Sequence, residues 1–491
     1  MNSGSLKRTL SAPVFFAISF AAIVGVGWIV VLGEWLRLAG PMGATIAFLC
    51  AGALMMLVGL CYAEICTYIP AAGGEMAYAF AAFGARTSFA VGWLLALVYV
   101  SATAFEGLSV GWLAGILFPP LAGHVLYHIH GIPVSSGTLF LGVGGTIAIT
   151  LLNSRSVRSS GAFQAALTWI KVGVAVVLVG SGLIWGNVQT LHPLFAGNAA
   201  GAKAAHGTLA VLVTAPFWLA GFNTVAQLME ERAPSASHEG IVTALLTSIA
   251  AAAVFYALLI LSAAMAMPWE EIIKLPFPAI GAFAAALHSD IGARAVLLAG
   301  LVGLLATWNA LFIAASRLLY ALARAGMIRH ELAYVGRRSG VPTVSVAGVG
   351  LLSGAGILLG RSALLPIISV DAGCFMLIYA VVACAVIRMR RLQPDHHRPY
   401  RMPGGAITAT GAFVAALCLF IESMYLAWEA RLDPIPIEWE ILLGWLALGL
   451  LSWALAIPTR GAVTVAEQRR LIMGSAECVT PRSSHRLTME P

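Results

Sequence analysis

Two ionisable residues stand alone inside long apolar runs. Lys171, in Leu167-Thr168-Trp169-Ile170-Lys171, lies ten residues into the apolar stretch 161–185. At 1.5 Å per helical residue that is about 15 Å deep, near the middle of a bilayer. A lysine there costs at least about 2.5 kcal/mol to insert, and snorkelling is strained from mid-depth, so a partner or a function must hold it. Glu106, in Ala104-Phe105-Glu106-Gly107-Leu108, sits at or slightly beyond the middle of the run 88–117. It reads either as a protonated carboxyl bonded to a neighbouring helix or as a wall that pairs with an ammonium. If Glu106 reads charge, Glu106→Gln should weaken cationic ligands more than neutral ones.

Two further places break a helix where a membrane helix would run on. The first is Ile23-Val24-Gly25-Val26-Gly27-Trp28 and the second Ala215-Pro216-Phe217-Trp218-Leu219-Ala220-Gly221-Phe222-Asn223. One such break is ordinary, because glycine and proline are common in membrane helices and serve as kinks or close contacts. Two breaks five spans apart mean more: a matched pair of interrupted helices in two halves of a chain points to a carrier's binding site. Freed N–H groups at a half-helix N-terminus can bind a carboxylate, and freed carbonyls can accept from an ammonium. An α-amino acid carries both groups.

The elements that position these residues are membrane helices. Of 491 residues 60% are hydrophobic and 10% charged, against about 25% charged in a soluble protein. That excludes a soluble enzyme, a nucleic-acid binder and a disordered scaffold. Apolar runs near 13–36, 41–66, 88–117, 138–154, 161–185, 208–229, 240–267, 294–323, 342–360, 364–388, 406–428 and 436–457 give twelve candidate spans. With the N-terminus inside, 21 Lys and Arg fall on the cytoplasmic side and 6 outside, Lys171 being left within a span. This bias puts both termini in the cytoplasm and accounts for the net charge of +7. The divisions are a cytoplasmic N-terminus (1–12), spans one to five (13–185), spans six to ten with their loops (186–391), spans eleven and twelve (392–458), and a polar, poorly ordered cytoplasmic tail (459–491).

With these pieces in order, the chain resembles the amino acid–polyamine–organocation superfamily of transporters. The resemblance rests on Gly25-Val26-Gly27, Tyr62-Ala63-Glu64 with Pro70-Ala71-Ala72-Gly73-Gly74, Asn153-Ser154-Arg155, Gly221-Phe222-Asn223 with Glu230-Glu231, Ala315-Ser316-Arg317-Leu318, and Arg398-Pro399-Tyr400-Arg401. It implies an all-α integral membrane fold of twelve helices: a five-plus-five inverted repeat with discontinuous helices one and six, plus two C-terminal helices. It also implies alternating access. A substrate carboxylate would meet the backbone near Gly25, Val26 and Gly27, and its amine the carbonyls near Ile23, Val24 and Phe217 to Ala220, with Trp218 beside them. Phe217 would be the gate, and Trp308 and Asn309 would be pocket neighbours. Lys171 would be the proton-coupling group, its ammonium standing where relatives use sodium. Two departures stand out: Val26 replaces a frequent hydroxyl residue, and Asn223 replaces a frequent acid.

Other residues carry plainer readings. A helix–helix hydrogen bond explains Asn309 as well as a pocket does. Gly107, Gly111 and Gly115 read as close packing, and Arg317 and Arg324 as anchors at the inner end of span eight. Asp371 is a possible proton carrier near the outer end of its span. The i, i+4 spacing of His124 and His128, with His130, would suit a metal but lacks an acidic or thiol partner. Six of the seven cysteines lie in or beside apolar runs and read as reduced packing residues. No cofactor, metal or catalytic constellation is expected. The reading is a proton-coupled symporter for amino acids or related amines in the cell membrane, with an antiporter or a non-transporting nutrient sensor of the same fold as alternatives.

Overall fold

In the computed structural model, the described residues run from 6 to 473, apart from 26, 130–131, 156, 199–200, 276, 288–289, 338, 430, 432–433 and 457–464. Ser11 and Pro13 open the first helix, α1 (Ala12–Ile23), a serine before a proline being a common helix start. The chain leaves helix geometry after Ile23 and resumes it in α2 (Gly27–Tyr68). Gly40, at φ 71°, and Pro41 bend α2 within its length, so the first and second expected spans meet at a glycine elbow with no separate loop. Next come α3 (Glu75–Phe83) and α4 (Ala85–Leu117).

Outside the helices, β1 (Val125–Ile129) and β2 (Ile132–Ser135) pair antiparallel as a small hairpin in an otherwise helical fold. The β-branched and aromatic run Val125-Leu126-Tyr127-His128-Ile129 is the local reason. It also removes the helical spacing on which a His124–His128 metal site would depend, since residues four apart in a strand are about 13 Å apart; His130 lies outside the described residues. Helices α5 (Ser136–Arg155) and α6 (Val157–Trp185) follow.

Another interrupted element comes next: α7 (Ala202–Trp218), a turn over 219–223, and the short α8 (Thr224–Leu228). Pro216 is inside α7, two residues before the helix ends, so the break falls later than the proline. After it come α9 (His238–Ala266), whose Gly240 N–H donates to the capping Ser237 hydroxyl, the short α10 (Trp269–Ile272) and α11 (Pro278–Ala286). Then follow α12 (Asp290–Arg324), α13 (Thr343–Ile357), α14 (Gly360–Leu392), α15 (Ala406–Glu429) and α16 (Ile437–Leu455). The tail is not wholly irregular: α17 (Val465–Met473) buries Ile472 and Met473, and Gln468 donates to the Ala325 carbonyl at 3.1 Å.

Among the described residues, ten helical segments are long and apolar enough to cross a membrane. Large apolar side chains point outward from several of them, including Phe140, Ile184, Ile407 and Leu450. A soluble protein would not expose so much apolar surface, so this is a multi-pass membrane protein whose outer face is solvated by lipid. The centre is α1, α4, α12 and the α7–α8 junction, with α14 against α4. Two ion pairs tie α12 to the segment after α8. Arg317 of α12 donates to Glu231 at 2.6 and 3.2 Å, and Arg324 donates to Glu230 at 2.8 and 2.9 Å. The two arginines therefore bind the segment just after α8, which the sequence reading had taken only as membrane anchors.

Candidate functional site

Both helix breaks open onto one cavity of about 220 Å³. Ile23, Gly25, Gly27, Glu106, Phe217, Trp218 and Ala220 all line it, so seven of the expected binding residues share one space. Thr307 and Asp371 join them from α12 and α14. The volume is below the roughly 300–1,000 Å³ typical of drug-sized sites, which suits a single small metabolite.

Local geometry explains each placement. Helix α1 stops because Val24 leaves helical angles, and the Gly25 N–H then turns back to the Ile23 carbonyl at 3.1 Å. The first-turn N–H groups of α2, beginning at Gly27, have no carbonyl of their own helix to meet. On the other side of the cavity, Gly221 takes φ 115°, a conformation L side chains avoid, and lies against the Ala22 carbonyl. A β-carbon there would come 2.6 Å from that oxygen. The two interruptions thus touch backbone to backbone.

Lys171 approaches the same break from α6. Its ammonium donates to the Val24 carbonyl, to the Ala21 carbonyl at 3.3 Å and to Thr307 Oγ1 at 3.3 Å. Thr307 in turn donates to the Ala21 carbonyl at 2.8 Å. A cation at a helix C-terminus is favoured by the dipole and by the unpaired last carbonyls. Glu106 stands on the opposite side of Gly25: a β-carbon on that glycine would be 3.8 Å from Oε1 and 3.9 Å from Thr307. Glu106 is buried and its Oε2 has no hydrogen-bond partner among the described residues. The break therefore has a lysine on one side and a carboxyl on the other, with Thr307 between.

Other expected site residues lie elsewhere. Val24 does not line the cavity; its carbonyl faces Lys171. Val26 is outside the described residues. Trp308 does not line the cavity either: a β-carbon on Gly107 or Gly145 would come 2.8 Å from its ring, so the indole fills the seam between α4 and α5. Asn309 belongs to a buried helix–helix chain, accepting from Asn153 at 2.9 Å and donating to Gln164 at 2.8 Å. Gln164 donates to Thr168 at 3.3 Å, and Thr168 to the Ala17 carbonyl at 3.0 Å, one turn before Lys171. Of the two readings of Asn309, the helix–helix bond is the one these contacts describe.

The acid absent at Asn223 has a counterpart in α3. Asn223 donates to Glu75 Oε1 at 2.8 Å and to Tyr99 at 2.7 Å; Tyr62 donates to Glu75 at 3.0 Å, and Gln227 also donates to it. Burial pushes the Glu75 carboxyl up to about 7, against the lowering effect of these hydrogen bonds. Sequence reasoning passed over Glu75 because it follows a glycine pair in a connecting segment, outside every apolar run.

The profile of the amino acid permease family matches residues 10–432. A methylthioribose transporter of Bacillus subtilis (strain 168) is 24% identical over 467 residues, covering 92% of this chain and 94% of its own. The gamma-aminobutyric acid permease of the same organism is 26% identical, with 79% of this chain and 81% of its own covered. The chloroplastic cationic amino acid transporter 9 of Arabidopsis thaliana reaches 34% identity over 46% of this chain and 40% of its own. These relatives are carriers rather than enzymes, and the match takes in both helix breaks, Lys171 and Glu106: the chain belongs to the amino acid permease family, within the amino acid–polyamine–organocation superfamily.

Proposed function

We propose that this protein carries amino acids across the cell membrane by alternating access and couples that movement to a proton. The observation that carries the reading is the position of Lys171: its ammonium occupies the carbonyl end of α1, beside the cavity that both helix breaks share. Charged, it ties α1 to α6 and, through Thr307, to α12; neutral, it loses donors to at least one of those acceptors. Proton loss and gain at Nζ therefore loosens or tightens the end of the helix that the substrate touches.

The substrate's carboxylate would lie at the start of α2 near Gly27, where N–H groups and the helix dipole favour an anion. Its ammonium would sit between the Ile23 carbonyl and Glu106. Phe217 and Trp218 would close over it. In this reading the interrupted α7–α8 segment and the 15-residue α13 count as spans, giving twelve, with both termini cytoplasmic and helices one to ten forming two inverted repeats. Obligate exchange by the same fold differs only in whether the empty carrier can return.

Reconstitution in liposomes tests it. An inwardly directed proton gradient should drive accumulation of amino acids without sodium, and Lys171→Met should abolish the dependence on the gradient. Uptake that requires sodium and ignores pH would overturn proton coupling; exchange without net uptake would establish antiport.

A further inference from the structure

A second carboxyl faces the cavity, and the transport reading does not use it. Asp371 is 1% exposed and lines the same space as Gly25 and Glu106. Its Oδ2 is 2.6 Å from the Ser101 hydroxyl of α4, while Oδ1 is buried with no hydrogen-bond partner among the described residues. No lysine, arginine or histidine lines the cavity among the described residues, because the Lys171 ammonium faces the carbonyls on the far side of the break. A buried carboxyl with a free oxygen is expensive unless a cation or donor reaches it. A cation brought by the ligand would meet that oxygen.

We infer that Asp371 binds a positively charged side chain, so that the amino acid carried is a dibasic one of the lysine, ornithine or arginine class. The inference rests on the transport reading above and narrows its substrate. Glu106 adjoins Gly25, at the end of the cavity where the substrate's own backbone groups would lie. Asp371 is fixed by Ser101, five residues earlier on α4, about 7.5 Å along the helix axis. The two nitrogens of lysine are separated by six bonds of about 1.5 Å, which reach roughly 7 Å when extended. Glu106 and Asp371 line one cavity from two different helices, so a ligand with two cations can meet both. Phe105 and Phe375, both in the cavity wall, give the methylenes between them an apolar bed. A diamine also has two cations, but it would leave the N–H groups at the start of α2 without an anion, so a dibasic amino acid satisfies more of the cavity. Charge selection, one of the two readings the sequence leaves open for Glu106, thus passes to Asp371, and Glu106 serves the ammonium common to all amino acids.

The test is competition for uptake in proteoliposomes holding the full chain, with lysine, ornithine, norleucine, leucine and 1,5-diaminopentane as probes. Norleucine has the lysine skeleton without its terminal charge. Lysine and ornithine should compete at least 10-fold better than norleucine, and diaminopentane should compete less well than lysine. Asp371→Asn, which keeps the shape and can still bond Ser101, should raise KM for lysine roughly 10–100-fold and leave norleucine unchanged. Norleucine equal to lysine in the wild-type protein would overturn the inference while leaving amino acid transport intact. Equal losses of lysine and norleucine in Asp371→Asn, in protein of wild-type melting temperature, would overturn it too, as would a preference for the diamine. If the variant fails to fold, the wild-type competition series decides alone. If no probe moves or binds and no other amino acid does either, the transport reading fails with it.

Discussion

The Trp218 indole occupies the space that a side chain at Gly27 would need. A β-carbon at position 27 would fall within 2.7 Å of Cε3 and closer still to Cζ3. The first helix break is therefore shaped to admit an aromatic ring from the second. Trp218 is also edge-on to Trp35 at 5.8 Å and to Phe217 at 5.0 Å, so it cannot retreat without disturbing both.

Gly27→Ala should displace the indole and cost about 1–3 kcal/mol of overpacking, together with most of the transport rate. Gly25→Ala meets nothing nearer than 3.8 Å and should leave the melting temperature close to wild type. Uptake by the two variants, with melting temperatures measured alongside, checks the contrast. Comparable loss in both would mean that the ring contact is not what Gly27 protects.

Removing the Lys171 ammonium takes a donor from the Ala21 and Val24 carbonyls and from Thr307. Lys171→Met should lower stability by about 1–3 kcal/mol as those buried acceptors lose a partner. Exchange of substrate for substrate should survive better than gradient-driven accumulation, because exchange does not need the proton to leave. Counterflow and pH-jump uptake on the same vesicles separate the two.

Arg317 and Glu231 are both almost wholly buried. Glu231→Gln or Arg317→Met should each cost about 3–5 kcal/mol by leaving one charge uncompensated, and the double replacement should cost much less than their sum. Arg329 and Glu331 form a fully exposed pair, and Arg329→Ala should leave the melting temperature unchanged. Thermal unfolding in detergent gives all four values.

Glu75 supplies a pH signature outside the long apolar helices. Its ordinary value is 4.5 and burial raises it to about 7 in the folded protein. Between those values the folded chain keeps a proton that the unfolded chain has lost. The stabilisation is thus fully present below about pH 4.5 and disappears as pH rises through about 7. Melting temperature should fall between pH 5 and 8 in the wild-type protein and fall less in Glu75→Gln. An identical slope in the two would show that another group dominates.

The first break and the lone lysine were legible because each contradicts its surroundings: glycines in a β-branched run, a charge in an apolar one. The second break was placed at Pro216 to Gly221, yet α7 continues to Trp218, since a missing N–H is tolerated where the following turn relaxes the helix. Helix geometry is already lost at Leu219, and the φ of 115° at Gly221, which sequence does not display, lies within the turn before α8 resumes at Thr224. Asp371 was legible as a lone acid in an apolar run, but its bond to Ser101 of α4, 270 residues away, was not. The partners of Glu230 and Glu231 lie 94 and 86 residues away, so only the packed fold pairs them. Trp308 and Asn309 were placed by family position, and neighbouring positions on a helix face different sides.

The contact between Gly221 and the Ala22 carbonyl has a mechanical meaning. Main chain resting on main chain leaves no flexible side chain to absorb displacement, so the two broken rods behave as a hinge with a common pin. A shift of one must be answered by the other, and a methyl group added at position 221 would wedge them apart while leaving every ionisable residue in place.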